Sequence, residues 1–444
     1  MATTLADPTT FPLVQRSDIT YLGSFAVPNQ DNVGNPMGYG GHALGYNPVS
    51  HSLFFGCHDW YQLLAEVSIP AFGETASILK NCTDVTEGTL GDVDPGDLNG
   101  IKLGGNLVYN GRLITTAFAY YDADSTQRVT HGVSANLDLD TPNNFNGWYG
   151  FTGASASPRA LAGYMTPIPT EWQPLFGGPA FTGQGSLSII SNSSDGPAAT
   201  VFDPAAVGVL DPIPGTTVVY YPFPNSHPDF EAKGSMLAGM AFPRGSRTVL
   251  FFGTRAQHPY CYGLPEECEY SCSPYKGPHN EYKHAIWAYD ANDLLRVKNG
   301  ELDPWEVMPY ATWEFSDLTD GNCASTNFGG AVFDPEAGIL YVTEAFGESP
   351  AVHAFQINSN LVNLTAVPPH ITPGQSSTLT WSAGNATACT GTNFNTGGAT
   401  SGSVSVSPAS TTTYTVTCDG VAASATVLVI TNQVMLPVIM KTIN

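Results

Sequence analysis

One pattern recurs along this chain and restricts what it can fold into. Residues 40–70 read GGHALGYNPVSHSLFFGCHDWYQLLAEVSIP. Residues 42–47 alternate, 48–51 turn, 52–57 run apolar and 63–70 alternate again. Strands joined by so few residues must be antiparallel neighbours. The pattern returns as LGGNLVYNGRLITTAFAYYD (residues 103–122), LAGMAFPRGSRTVLFFGTR (237–255) and FGGAVFDPEAGILYVTEAF (328–346). A meander repeated at intervals of roughly 60 to 90 residues predicts a β-propeller, one repeat per blade.

A weaker copy fills residues 160–223, with ALAGYMTPIP as inner strand, SLSIISN as second and TVVYYPF as outer strand. Counting it gives about five blades, the count being open by one or two. Outer strands of other blades are expected at residues 76–85, 146–152 and 310–315. The last repeat supplies three strands, and the lone alternating segment 20–28 is expected to close that blade from the N-terminus. Helix is expected only at 291–297. The predicted fold is therefore all-β: an N-terminal extension at 1–18 and a propeller at 19–358.

Beyond residue 358 the composition turns to Thr, Ser and Val. Short alternating strands, with Cys389 and Cys418 near strand ends, predict an immunoglobulin-like β-sandwich over 359–432. A generic sandwich of other topology is the alternative. Residues 433–444 hold the apolar MLPVIM, expected as an added strand and too short to span a bilayer.

Composition agrees with many strands and turns. Only 12% of residues are charged, with 46 Gly and 34 Pro, and the net charge of −23 leaves little to attract nucleic acid or an anionic membrane. Eight cysteines suggest oxidation outside a reducing cytosol, so an extracellular or virion-surface location is expected. Residues 1–7 lack the basic head and apolar core of a signal peptide. Either a signal has been replaced, or the protein leaves the cell without one, as phage particles do. The sequons at Asn81, Asn192, Asn363 and Asn385 matter only if the source glycosylates.

The propeller portion resembles a family of bacterial and phage-borne proteins through GYNPVSHSLFFGCHDW, KLGGNLVYNGRLITTAFAYYDA, HAIWAYDANDLLRVKNGELDPWEVMPYATW and GGAVFDPEAGILYV. The C-terminal part resembles bacterial Ig-like modules carrying a TTTYTVTC strand. Neither resemblance implies catalytic residues.

Propellers crowd the ends of their second strands and the loops entering each inner strand onto one face, and loops on a rigid scaffold carry function. His58, Asp122, Asp195, Arg255, His258 and Glu348 are the candidate ligand-binding residues. Asp, Asn and Gly also simply form turns. Asp92, Asp94, Asp97 and Asn99 offer oxygen ligands spaced for Ca²⁺, the one candidate cofactor, although the run departs from the EF-hand pattern and reads equally as an acidic turn. If the protein is an enzyme, His58 with Asp59 and Glu344 suit the paired groups of a glycoside hydrolase. Tyr120 or Tyr121, His58 and Arg255 suit a polysaccharide lyase, in which Tyr or His takes a proton and Arg neutralises a uronate.

Residues 258–284 hold three cysteines whose spacing fits no common zinc site, so a disulfide-stapled loop is expected from Cys261, Cys268 and Cys272, with Cys323 as an outside partner. Cys57 and Cys82 are expected to staple the first blade. Two functions remain from the sequence. In the first, a non-catalytic surface or adhesion protein, such as a phage virion component, presents its loops to a glycan or surface protein, and its Ig-like module and apolar tail dock it into an assembly of its own copies or of other virion or surface proteins. In the second, a secreted carbohydrate-active enzyme carries an Ig-like accessory module.

Overall fold

The computed structural model describes residues 7–96, 100–120, 122, 124–185, 193–230, 234–259, 261–271, 276–315, 328–344, 349–358, 362–383 and 386–430. Residues 14–358 belong to one compact unit, while residues 7–13 group with those after 358 in a second.

The larger unit is a five-bladed propeller of four-stranded antiparallel meanders. Blade 1 comprises Leu44–Asn47, Ser52–Gly56, Leu64–Ser68 and Ile78–Thr83. Blade 2 comprises Ile101–Tyr109, Arg112–Ala119, Val129–Ser134 and Phe145–Thr152. Its first turn is Asn110-Gly111 with φ of 51° and 74°, the paired left-handed residues that a two-residue hairpin requires. Blade 3 comprises Tyr164–Pro167, Ala180–Gly183, Ala199–Phe202 and Ile213–Val219. Blade 4 comprises Met236–Ala241, Thr248–Ala256, Tyr282–Asp290 and Ala311–Phe315. Blade 5 takes Phe328–Asp334, Ile339–Glu344 and Ala351–Ile357 from the last repeat and Ile19–Ala26 from the N-terminal region. That early strand pairs antiparallel with Ala351–Ile357, from Ile19 opposite Ile357 to Ala26 opposite Ala351.

The double glycines of the repeat now have a cause. Inner strands converge at the axis, where a methyl group on Gly45 would come within 2.6 Å of Asn106 Cβ, and one on Gly105 within 2.8 Å of Tyr164 Cα. One on Gly330 would come within 2.6 Å of the His42 carbonyl, and those on Gly104 and Gly239 would run into the carbonyls of Ala162 and Ala331. Blade 3 is tied to blade 4 by Leu237 N donating to Gly185 O at 2.9 Å. The ring thus closes by backbone approaches that only glycine permits.

The core lies between blades, so each second strand is buried on both faces and reads as a continuous apolar run. Ser52–Gly56 is buried throughout. Trp172, Phe181, Phe242, Phe251 and Trp287 fill one such layer, and Phe25, Phe55, Val67, Tyr341 and Val352 another.

Two strand expectations are corrected in blade 3. Its second strand is Ala180–Gly183, and residues 186–192, expected to supply it, lie outside the described residues. Its outer strand begins at Ile213 rather than 217, and Ile213 and Pro214 pair in parallel with Phe151 and Thr152 of blade 2. The expected helix is Ala291–Lys298, capped by Asp290 accepting from Asn292 N.

The smaller unit contains a three-stranded sheet, Val362–Val367, Ser377–Ala383 and Ser401–Val406, and a four-stranded sheet, His370–Ile371, Val421–Val429, Thr412–Cys418 and Cys389–Thr392. Leu364, Leu379, Trp381, Tyr414, Val416 and Val427 from the two sheets form one core. Cys389 and Cys418 are bonded, and they are directly opposed on neighbouring strands of the same sheet. In antibody domains the bridge joins two sheets instead. The terminal segment 433–444 lies outside the described residues.

Candidate functional site

The site starts with the disulfide Cys57–Cys82, which joins the end of blade 1's second strand to its outer strand. The residues after Cys57 make a closed loop: Cys57 N donates to Leu63 O at 2.8 Å and Tyr61 N to His58 O at 2.9 Å. Trp60 N donates to His58 Nδ1 at 3.2 Å, which leaves the ring proton on Nε2.

Asp59 points from this loop toward blade 2. Its Oδ2 accepts from Lys102 Nζ at 2.6 Å, and its Oδ1 from Gln62 Nε2 at 3.2 Å. Gln62 Oε1 in turn accepts from Leu103 N at 2.6 Å, so the loop is docked on the beginning of the next inner strand. Burial pushes the Asp59 carboxyl up, but His42, Lys102 and Gln62 together outweigh it and hold the group below the usual carboxylate range. His42 stands just before the inner strand of blade 1 and is hydrogen-bonded to the backbone of Gly329 in blade 5. Burial keeps its imidazole below the ordinary value, with Asp59 pulling the other way.

Blade 5 contributes Glu344, at the end of its second strand and in register with Phe328, next to Gly329. His353 Nε2 lies 3.2 Å from Glu344 Oε2, and His353 Nδ1 lies 3.1 Å from Tyr21 Oη on the N-terminal strand.

Blade 4 holds a separate network. Arg255 Nη2 donates to Asp229 Oδ1 at 2.8 Å and Nη1 to Glu314 Oε1 at 2.9 Å. Trp287 Nε1 donates to the other Asp229 oxygen at 2.9 Å. Burial pulls the guanidinium down, but Asp229 and Glu314 more than restore it, and Asp229 is held low by Arg255 and Trp287 against its own burial. With two carboxylates on its terminal nitrogens, Arg255 is engaged within the fold and not poised to neutralise a uronate.

The remaining sequence candidates scatter. Asp122 and Asp94 are both buried and share Thr126, whose Oγ1 lies 2.9 Å from Asp94 Oδ2 and 3.4 Å from Asp122 Oδ1. Asp195 accepts from Ser226 Oγ at 2.9 Å. His258 stacks on Tyr270 with ring centres 4.0 Å apart and faces Glu281 at 3.3 Å. Beside them is a hollow of about 310 Å³ lined by His258, Pro259, Cys261, Glu269, Tyr270 and His279. Cys261 and Cys268 form the expected staple. Tyr121, Glu348, Asp97, Asn99, Cys272 and Cys323 lie outside the described residues. Among the described residues, no group of three His, Cys, Asp or Glu side chains is placed to hold a metal. No described helix is long and apolar enough to cross a membrane.

His58 and Asp59 share one loop, yet the residues that complete their surroundings, His42, Gln62 and Lys102, were not singled out by sequence. One signal was available. Lys102 is a charged residue just before the double glycine of an otherwise apolar inner strand, in a chain with only 15 Lys and Arg.

No protein-family model matches the chain. No curated protein matches it. Solved structures do resemble it. A luciferin-regenerating enzyme is 8% identical, with 76% of this chain and 94% of that one covered at a TM-score of 0.32. An exo-1,5-α-L-arabinanase from a bovine ruminal metagenomic library is 11% identical over 72% and 92% of the two chains, with a TM-score of 0.41. A GH43 endo-arabinanase from Bacillus licheniformis is 13% identical over 75% and 96%, also at 0.41. All three are described as enzymes, two of them as arabinanases. The expectation of a non-catalytic surface, adhesion or virion protein is corrected at this point: the solved structures that resemble the chain are described as enzymes.

Proposed function

We propose that this chain is an extracellular carbohydrate-active enzyme, a glycoside hydrolase whose centre lies where blades 1, 2 and 5 meet. The observation that carries the reading is the Asp59–Lys102 pair. A half-buried carboxylate held below its usual range is ionised at neutral pH, as a nucleophile or general base must be. Glu344 serves as the partner acid, oriented by His353 and Tyr21. In such hydrolysis one carboxyl protonates the leaving glycosidic oxygen while the other attacks the anomeric carbon or activates water, a division of labour that requires carboxyls about 5–10 Å apart. His42 is coupled to Asp59 by charge, each favouring the ionised form of the other. The disulfides suit an oxidising exterior. We read the C-terminal sandwich as an immunoglobulin-like accessory module.

The test is sugar release from a panel of neutral polysaccharides by the full chain, Asp59→Asn and Glu344→Gln. Each variant should lose activity by on the order of a hundredfold or more. Activity in Asp59→Asn equal to the unaltered chain, or no release from any polymer, would sink the assignment.

A further inference from the structure

Three of the large exposed apolar side chains gather at one place. Trp60 is 82% exposed, Tyr61 56% and Tyr39 42%. All three surround His58, with ring centres 5.3 Å away for Trp60, 5.6 Å for Tyr61 and 5.8 Å for Tyr39. Such rings do not serve the core, and water gains nothing by wetting them.

From this placement we infer that Tyr39, His58, Trp60 and Tyr61 form a stacking subsite for a neutral glycan chain. The inference rests on the hydrolase reading and adds to it a substrate class and the residues that grip it. Sugar rings present apolar C–H faces with hydroxyls at the edges. Aromatic side chains with a polar rim match both parts: the rings take the faces, while the Tyr hydroxyls, the Trp N–H and His58 Nε2–H meet the edges.

Two further observations select this occupant. Asp59 lies between His58 and Trp60 in sequence and is fixed to Lys102, so the rings and the carboxylate are carried by one anchored loop. The loop is also built in advance, closed by Cys57 N to Leu63 O and anchored by the Cys57–Cys82 bridge, so little freedom is lost on binding. Charge decides the class of glycan. A chain of net charge −23, whose nearby lysine is already paired to Asp59, repels polyuronates and sulfated polymers.

The test is electrophoresis of the full chain through native gels containing arabinan, xylan, mixed-linkage glucan or polygalacturonate. Alongside run Trp60→Ala, Tyr61→Ala and a control, Phe223→Ala, which removes an aromatic that is 87% exposed outside this loop. Circular dichroism checks that all melt alike. The expected result is retardation of the unaltered chain by at least one neutral polymer and not by polygalacturonate. Trp60→Ala and Tyr61→Ala should bind that polymer about tenfold more weakly, and Phe223→Ala as tightly as the unaltered chain. Equal retardation of Trp60→Ala and the unaltered chain overturns the subsite while leaving the hydrolase reading intact. Preference for polygalacturonate overturns the neutral class. No retardation by any polymer overturns the subsite and, with no sugar released, the hydrolase reading too.

Discussion

Lys102 Nζ lies 2.6 Å from the carboxylate of Asp59 and 3.1 Å from the same residue's carbonyl oxygen, so one ammonium clamps both ends of a single aspartate. Removing the cation disfavours the ionised carboxyl. In Lys102→Met the acidic limb of the pH–rate profile should move up by about one unit. The linked stability term has a definite sign. The folded-state value is depressed, so the contribution is present above the unfolded value and lost as pH falls through the folded one. An acidic limb that stays in place would mean that Asp59 does not govern it.

Arg255 bridges Asp229 and Glu314, and Asp229 is also held by Trp287 from the core layer. Arg255→Ala leaves two carboxylates without their cation. Because the arginine is about one-third exposed, water softens the penalty, and the expected loss is about 1–3 kcal/mol in urea denaturation. Arg255→Lys should recover only part, since a single ammonium does not reproduce the fork. A loss under about 0.5 kcal/mol would show the network to be fully solvated.

His131 sits buried between Thr130 and Thr182, against Phe151 and Phe202, and burial pushes its imidazole down to about 3. The unfolded chain binds a proton below about pH 6.5, and the folded chain does not. Stability therefore falls as pH drops from 6.5 toward 3, by about 1.4 kcal/mol per unit at full slope. His131→Leu should remove that slope between pH 6.5 and 5, where few carboxylates titrate. Parallel stability–pH curves for the two proteins would refute the assignment.

A methyl at Gly104 has no room beside Ala162 O and Thr116 Oγ1. Gly104→Ala should cost about 2–4 kcal/mol by pushing blade 2 from blade 3. Gly91→Ala, at a position with nothing within 4 Å, is the neutral control. Equal melting midpoints for the two would mean that the inner strands tolerate spreading.

What could be read from sequence follows from these contacts. Sandwiched second strands such as Ser52–Gly56 and Thr248–Ala256 bury nearly every residue, so their apolar runs stand out. Ala180–Gly183 escaped because it is short and its Gly183 abuts Ala198, which removes the bulky residues that mark a strand. Ile213–Val219 carries Pro and Gly at its second and third positions, which argue against a strand when read from sequence. At the site, the loop residues His58 and Asp59 were visible as turn chemistry. Their partners were not, because Lys102 reaches Asp59 across 43 positions and nothing local records the meeting. Arg255 was visible as a rim residue, but its attachment to Asp229, which occupies the guanidinium, was not.

The chain enters the ring at Asp18 and leaves it at Asn358, and Asn358 N donates to Asp18 O at 2.8 Å. Two antiparallel strands held in this way part like a zipper, because tension on adjoining ends reaches one hydrogen bond at a time. Such a seam would yield under little force. Here, however, the two loose ends run into the same second unit, where Ser382 Oγ donates to Thr10 O at 3.0 Å. The two flanks of the seam are therefore joined again outside it.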